Sequence, residues 1–192
     1  MTSGEFRPVA ESITTITELM IPSYANFGGK IHGGILLSLM DKVAYACASK
    51  HAGNYCVTVS VDNVDFLQPV EVGDLVSLHA SVNYVGRTSL IIGIKVVAEN
   101  VTNRVVKHTN TSYFTMVSKG NNNELKEVPG LILETREEVR RYLESIKRKE
   151  LKGIYKEQLN NQKTNLAIED ELYKLDKERV QLNYRGENTI QD

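Results

Sequence analysis

Apolar and polar residues recur with two different periods along the first two thirds of the chain. Residues 13–20 are rich in β-branched side chains, which predicts a strand. Residues 35–50 contain no Gly or Pro and are rich in Leu, Ala and Met, which predicts a helix that is apolar almost all round. From residue 57 onward the apolar residues fall at every second position, which predicts strands.

Four strands are expected after this helix. In the first of them, Val57, Val59 and Val61 share one face, whereas Val64 and Phe66 fall on the other. This change of face predicts a β-bulge at residues 62–63. The other three predicted strands cover residues 76–84, 90–98 and 104–118, the first two being joined by a short turn at Gly86-Arg87.

The order of one strand, one helix and four strands predicts an α+β fold, with an antiparallel five-stranded sheet packed on a single helix. One helix cannot cover both faces of such a sheet. The two edge strands also carry unpaired backbone N–H and C=O groups. We therefore expect the protein to form a dimer.

The composition changes near Pro129-Gly130. Residues 131–192 hold 26 of the 47 charged residues, with both signs mixed, which is typical of solvated helix. We predict two domains, residues 1–130 and a helical C-terminal extension of residues 131–192. A capping box, Thr135-Arg-Glu-Glu138, should start the first helix. Two thin apolar stripes, interrupted at Gly153 and Asn160-Asn161, suggest a two-helix hairpin; their residues are Val139, Leu143 and Ile146, then Ile168, Leu172, Leu175 and Leu182.

Charge and cysteine content exclude several classes of protein. The formal net charge is -1, which argues against a nucleic-acid partner. No apolar run reaches the length of a membrane span and the N-terminus does not resemble a signal peptide, so we expect a cytoplasmic protein without a membrane partner. Cys47 and Cys56 are expected to be reduced core thiols. The histidines show no metal-ligand spacing, and no metal site is predicted.

The residues before the predicted helix are unusually rich in glycine. Gly28, Gly29, Gly33 and Gly34 lie within seven residues, the last two directly before the helix. The first amides of a helix have no partner inside the helix, so they can bind an anion or a polarised carbonyl oxygen. The alternative is a tight turn that packs against the sheet, and the spacing alone does not separate the two.

Asp41 is the only acidic residue between Glu18 and Asp62. It lies about two turns into the helix, on a narrow polar stripe, where a carboxylate could share a site with the Gly34 amide. The alternative is a solvent-facing stripe on which Asp41 pairs with Lys42 or Tyr45. Both interpretations stay open at this point.

Two other polar residues of the loop are candidates. The Asn26 amide could orient a water molecule or donate to a developing oxyanion, although a turn asparagine is more common. His32 could be a base, but a histidine at a helix start more often caps the helix or orients the loop. A serine triad is improbable because no nucleophile elbow surrounds Ser38.

The segment Asn26-Phe-Gly-Gly-Lys-Ile-His-Gly-Gly-Ile-Leu-Leu-Ser-Leu-Met-Asp41 resembles the signature of hotdog-fold acyl-CoA thioesterases. The nearest group is that of the bacterial broad-range acyl-CoA hydrolases and the brain acyl-CoA hydrolase. The resemblance covers about residues 13–148. It continues through Val57-Thr-Val-Ser-Val, Phe66-Leu-Gln-Pro-Val-Glu-Val-Gly-Asp74, Val85-Gly-Arg-Thr-Ser89 and Val128-Pro-Gly-Leu.

This resemblance implies a hotdog fold, in which the sheet wraps around the central helix. It also implies a homodimer, commonly assembled into a trimer of dimers. The substrate would be an acyl-CoA, so that coenzyme A is part of the substrate and no separate cofactor is expected. Two alternatives remain, a hotdog-fold hydratase or dehydratase that uses a His with an acid, and a non-catalytic acyl-CoA-binding protein.

The resemblance also implies roles for individual residues. Asp41 matches the helix carboxylate that acts as base or nucleophile. Asn26 matches the loop asparagine of the partner half-site, and the Gly34 N–H matches the oxyanion donor. The residues implied to bind the CoA moiety are Gly33, Arg87, Thr88 and Ser89.

Overall fold

The computed structural model of the protein describes residues 5–183. The strands in chain order are β1 (Phe6–Pro8), β2 (Thr14–Leu19), β3 (Tyr55–Val61), β4 (Asp74–Val85), β5 (Ser89–Asn100), β6 (Val105–Lys119) and β7 (Gly130–Ile132). The helices are α1 (Gly33–Ala52), α2 (Arg136–Thr164) and α3 (Ile168–Glu171), with short 3-10 turns at Val9–Glu11, Pro22–Tyr24 and Leu172–Lys177.

The main sheet is a five-stranded antiparallel sheet with the strand order β2-β4-β5-β6-β3. Helix α1 packs on one face of it, because alternate residues of β4 and β5 and one side of the helix are apolar and buried. β1 and β7 form a separate parallel pair. The predicted hotdog architecture is therefore confirmed. The central buried residues are Leu36, Met40, Val43, Ala44, Cys47, Val76, Leu78, Leu90, Ile92 and Ile94.

Both ends of α1 are capped by polar groups, and the helix is two residues longer at each end than predicted. His32 is the N-cap residue, and Gly53 ends the helix with a left-handed φ of 66°. The Arg7 guanidinium donates to the Lys50 and His51 carbonyl groups in the last turn. These partners satisfy the backbone N–H and C=O groups at the helix ends, which the pattern of apolar residues cannot predict.

The bulge in β3 lies earlier than residues 62–63, where it was predicted, so that prediction is wrong. The register against β6 shifts between Thr58 and Ser60, and β3 ends at Val61. Beyond that point the chain still follows β6, because the Leu67 N–H donates to the Thr109 carbonyl oxygen. Val59 and Val61 are largely exposed on this edge strand, and the register places Val61 opposite Phe114 on the helix side of the sheet.

Helix α2 begins at the predicted capping box. The Thr135 N–H donates to Glu138 Oε2 at 3.0 Å, and the Glu138 N–H donates to Thr135 Oγ1 at 3.2 Å. The expected interruption at Gly153 and Asn160-Asn161 is wrong, because the helix continues to Thr164. A single glycine costs a helix only about 1 kcal/mol, which good helix formers on both sides can offset.

The chain forms two compact units, which divide after Arg148. β7 and the first half of α2 therefore belong to the unit that contains the sheet, although their composition resembles that of the extension. The second unit begins at Lys149 and contains the rest of α2, the four-residue α3 and a 3-10 turn. The boundary at residue 130 and the two-helix hairpin stay predictions.

Within residues 5–183, no helix is both long enough and apolar enough to cross a membrane. In the same range, the His, Cys, Asp and Glu side chains form no cluster of three that could hold a metal ion.

The two thiols should be unreactive in the folded protein. Cys47 and Cys56 are buried and free, and burial raises the pKa of Cys47 to about 12 and also raises that of Cys56. Because the thiolate is the reactive form, an aromatic disulfide reagent at pH 8 should titrate neither thiol in native protein and both in guanidinium chloride. Rapid release of one equivalent from native protein would contradict this packing.

Candidate active site

The Asp41 carboxylate lies at the surface of the chain, between α1 and the edge strand β3. Thr58 Oγ1 donates a hydrogen bond to Asp41 Oδ1 at 2.6 Å, and the same hydroxyl contacts Met116 Sδ at 3.1 Å. The carboxylate is thus held by a strand residue and not by Lys42 or Tyr45. One carboxylate oxygen is fixed, and Asp41 remains exposed.

Sequence reasoning did not single out Thr58. The valines on either side of it direct attention to the other face of β3, but Thr58 lies opposite Met116 and thus on the helix side of the sheet. Leu90 follows in the same row, beyond Met116. The available signal was the alternation itself, since Cys56 and Thr58 share the inward face whereas Val59 points outward.

The helix start contains the predicted capping interaction. His32 Nδ1 accepts a hydrogen bond from the Gly34 N–H at 2.9 Å, so the interpretation of His32 as a cap is confirmed. The Gly34 amide, expected to donate to an oxyanion, therefore already has an acceptor in this chain. A ligand oxygen would have to replace the His32 ring there.

The two glycines at the helix start allow close approach of two rings. A Cβ atom at Gly33 would lie 3.3 Å from the Phe66 ring, and one at Gly34 would lie 3.0 Å from His32 Nδ1. Both distances are tighter than ordinary van der Waals contact. The glycine pair thus serves a tight turn, and the same lack of side chains opens the backbone to a ligand.

Asn26 closes its own loop. Asn26 Oδ1 accepts hydrogen bonds from the Gly28 N–H at 2.9 Å and the Lys30 N–H at 3.2 Å. Because the carbonyl oxygen is engaged, Nδ2 is the group that can donate to a ligand. Lys30 anchors the loop by an ion pair of 2.7 Å with Glu71, and this partner lowers the pKa of the Glu71 carboxyl group. Phe27, next to Asn26, is fully exposed.

The structure does not bring Asn26 and Asp41 of one chain together. Asn26 bonds to its own loop, and Asp41 bonds to Thr58. Among the described residues, no hydrogen bond joins the two side chains. The two side chains therefore have separate partners in this chain.

The turn of residues 87–89 is held rigidly by its backbone. The Gly86 N–H donates to the Ser89 carbonyl oxygen, and the carbonyls of Arg87 and Thr88 accept from neighbouring segments. The Arg87 side chain is exposed. Ser89 begins β5 one residue before Leu90, which lies two strands from Thr58, or about 10 Å. The turn is thus near the level of the sheet at which Asp41 is held.

Comparison with known proteins identifies the family. Residues 28–104 match the thioesterase superfamily model. Protein VdlD of Helicobacter pylori is 46% identical over 134 residues, which are 70% of this chain and 76% of that protein. The acyl-CoA thioester hydrolase YkhA of Bacillus subtilis, itself uncharacterized, is 33% identical over 72% of this chain and 81% of its own length. This chain belongs to the hotdog-fold acyl-CoA thioesterases.

Solved structures of the family agree with the fold. An apo-hexameric acyl-CoA thioesterase superposes with a TM-score of 0.76 at 35% identity, covering 79% of this chain and 97% of that one. The acyl-CoA hydrolase of Staphylococcus aureus, in complex with butyryl-CoA, has a TM-score of 0.73 at 28% identity, with coverages of 83% and 99%. Like these enzymes, the protein is a member of a family of thioester hydrolases.

Single alanine substitutions of the Staphylococcus aureus hydrolase affect an asparagine, an aspartate and a threonine. In that chain the aspartate follows the asparagine by 15 residues and precedes the threonine by 17. Asn26, Asp41 and Thr58 have the same two spacings here. The three residue types and intervals of the substituted positions therefore recur in this chain.

The His32 cap gives a stability prediction. Replacing His32 with Ala should lower the apparent free energy of unfolding by about 1 kcal/mol, because an N-cap acceptor is lost. His32→Asn should largely retain stability, since a short amide can accept the same hydrogen bond. Urea denaturation at one protein concentration measures both. Equal stability of His32→Ala and the unmodified protein would contradict the cap.

Proposed function

We propose that the protein hydrolyses acyl-CoA thioesters to a carboxylic acid and coenzyme A, with Asp41 as the reacting carboxylate. The observation that carries the proposal is the 2.6 Å hydrogen bond from Thr58, which fixes one oxygen of an exposed carboxylate on a helix whose other face is buried against the sheet. The recurrence of the Asn, Asp and Thr spacing in the Staphylococcus aureus hydrolase supports it.

Asp41 has two chemically balanced routes. As a general base it takes a proton from water, the hydroxide adds to the thioester carbon, the C–S bond breaks, and the CoA thiolate leaves and is protonated. As a nucleophile it adds to that carbon itself, which expels the thiolate and forms a mixed anhydride that water then cleaves. In both routes Thr58 orients the carboxylate.

The geometry of α1 supports a site that two protomers share. Gly34 and Asp41 are seven residues apart, so their backbones are separated by about 10 Å along the helix. A thioester carbonyl needs its oxyanion donor and its attacking group each within about 3 Å. We therefore propose that Asp41 of one protomer works with the Gly34 N–H and Asn26 of the other.

The surface around Asp41 supports a second copy as the partner. Tyr45 and Tyr55 form an exposed ring pair with centroids 5.9 Å apart, and Leu37 of α1 and Val59 and Val61 of β3 are exposed as well. β3 is an edge strand of the sheet. An apolar surface next to an open sheet edge favours a homodimer through β3 and α1. The hexameric relative supports further assembly into a trimer of dimers.

The other residues predicted for the site would contact the CoA moiety of the substrate. We propose that Gly33 gives the thioester access to the helix start and that the turn of Arg87, Thr88 and Ser89 contacts the CoA phosphates and pantetheine. The exposed Arg87 guanidinium is the cation of this turn. The hydratase alternative requires a histidine paired with an acid. His32, the histidine of the glycine-rich loop, instead accepts the Gly34 amide.

Asp41→Asn tests the reaction itself. We expect kcat for a panel of acyl-CoAs to fall by about 10²–10⁴, since the base or nucleophile is lost while shape is retained. CoA affinity and the circular dichroism spectrum should stay unchanged. Asp176→Asn, the same chemical change in the second compact unit, should retain full activity. A thiol-release rate for Asp41→Asn within twofold of the unmodified enzyme would exclude the proposed role.

Thr58 is proposed as a positioning residue, and two variants separate its hydroxyl from its shape. Thr58→Val should lower kcat by about tenfold or more while KM changes little, because the carboxylate loses a charge-assisted hydrogen bond. Thr58→Ser should restore most of the rate. If valine and serine reduce kcat equally, the hydroxyl is not what matters.

A further inference from the structure

A cavity lies on the face of the sheet opposite to α1. It has a volume of about 400 Å³ and lies between the outward-facing residues of β4, β5 and β6 and the first turns of α2. All of its lining residues belong to the compact unit that ends at Arg148. Asp41 projects from the helix on the other face, so the cavity is not part of the site described above.

The register of the sheet determines which residues form the floor of this cavity. His79 lies opposite Lys95 on the neighbouring strand, and Lys95 lies opposite Thr111 on the next. One row further along, Ser81, Gly93 and Tyr113 lie opposite one another in the same way. Gly93 has no side chain, and the Asn83 side chain lies over it, so that a Cβ atom at Gly93 would collide with Asn83 Nδ2. The six residues of these two rows line the cavity.

The acidic residue of the cavity is already fully engaged. Glu137 accepts hydrogen bonds from Arg140 and from Arg141, and these guanidinium groups lower the pKa of Glu137 to about 2. Arg141 also reaches the sheet, where its Nη1 donates to Ser81 Oγ at 3.3 Å. Arg140 also pairs with Glu144, so the two arginines of this wall have two carboxylate partners, and Arg141 is the one that reaches the sheet.

The polar side chains in and beside the cavity that do not pair with Glu137 are mainly hydrogen-bond donors. Within residues 5–183, Lys95 forms no ion pair and no side-chain hydrogen bond. His79 Nδ1 is bonded to Thr15 Oγ1 at 3.1 Å, which leaves Nε2 for the cavity. The Arg148 guanidinium lies 3.8 Å above the Tyr113 ring and adds a further positive charge beside this wall. Lysine and arginine have donors and no acceptor, so the cavity fits an anion.

We propose that this cavity binds the phosphoryl group of a small anionic ligand, with Lys95 and Arg141 as its main cations. Phosphoryl oxygens accept hydrogen bonds from ammonium and guanidinium groups, and both Lys95 and Arg141 line the cavity. The volume is sufficient for a molecule larger than a single phosphate. The phosphoryl group could belong to a free metabolite or to CoA, since Ser89 of the turn lies on the same face of β5.

Inorganic pyrophosphate is the probe, measured by isothermal titration calorimetry on the full chain. Binding should weaken by about tenfold or more in Lys95→Ala, because a charged hydrogen bond is lost, and should persist in Lys95→Arg. Lys147→Ala, which removes the same charge from an exposed position of α2 outside the cavity, should bind normally. Circular dichroism checks that each variant is folded.

Two results would overturn the inference. One is the absence of pyrophosphate binding by the unmodified protein at millimolar concentration. The other is a loss of binding in Arg87→Ala together with normal binding in Lys95→Ala, which would place the anion at the proposed CoA turn. CoA titrated into Lys95→Ala identifies the source of the phosphoryl group: weaker binding indicates CoA, and unchanged binding indicates a separate ligand. None of these titrations requires thioester hydrolysis, so the proposed function can fail independently.

Discussion

The rise of α1 is the constraint on which the site depends. A straight helix separates the Asp41 and Gly34 backbones by about 10 Å, and no side-chain rotation brings the two groups onto one carbonyl. In the proposed mechanism each chain therefore contributes its carboxylate to one site and its helix start to another. A twofold axis would present the carboxylate of one copy to the helix start of another. The exposed apolar residues around Asp41 are consistent with this arrangement.

In the proposed mechanism the helix start has two chemical roles, which compete for one amide. In the isolated chain the Gly34 N–H bonds to His32, which stabilises the first turn. A bound thioester oxygen would take over the same donor, so substrate binding would exchange one hydrogen bond for another rather than add one. Such an exchange favours the transition state, since a developing oxyanion accepts more strongly than a neutral imidazole nitrogen.

Much of the fold could be predicted because burial follows a strict period. Every second residue is buried at Val76, Leu78 and Ala80 of β4 and at Leu90, Ile92 and Ile94 of β5, and α1 is apolar on the side that meets the sheet. Asp41, Asn26 and the glycines stand out because each is a polar or small residue in an apolar or turn context. The resemblance to the thioesterases then added their roles.

The remaining features depend on contacts between distant parts of the chain. The role of Thr58 depends on the pairing of β3 with β6 and on the packing of β3 against α1. Neither is indicated by the residues next to Thr58 in the sequence. The passage of α2 through Gly153 reflects a propensity balance of about 1 kcal/mol, whereas the bulge at Thr58 and Ser60 depends on how β3 pairs with β6. The cavity between the sheet and α2 required the register of three strands and one turn of α2, which no local pattern encodes.

Phe27 illustrates what the pinned loop demands of the molecule. Asn26, Lys30 and Glu71 brace the loop from both sides, and the Phe27 ring between them is fully exposed. An aromatic ring held out in water by a braced loop is ready to be buried against another molecule without first being ordered. If a second protomer covers this ring, dissociation on dilution would return it to water at the same moment as it separates the two halves of the proposed site.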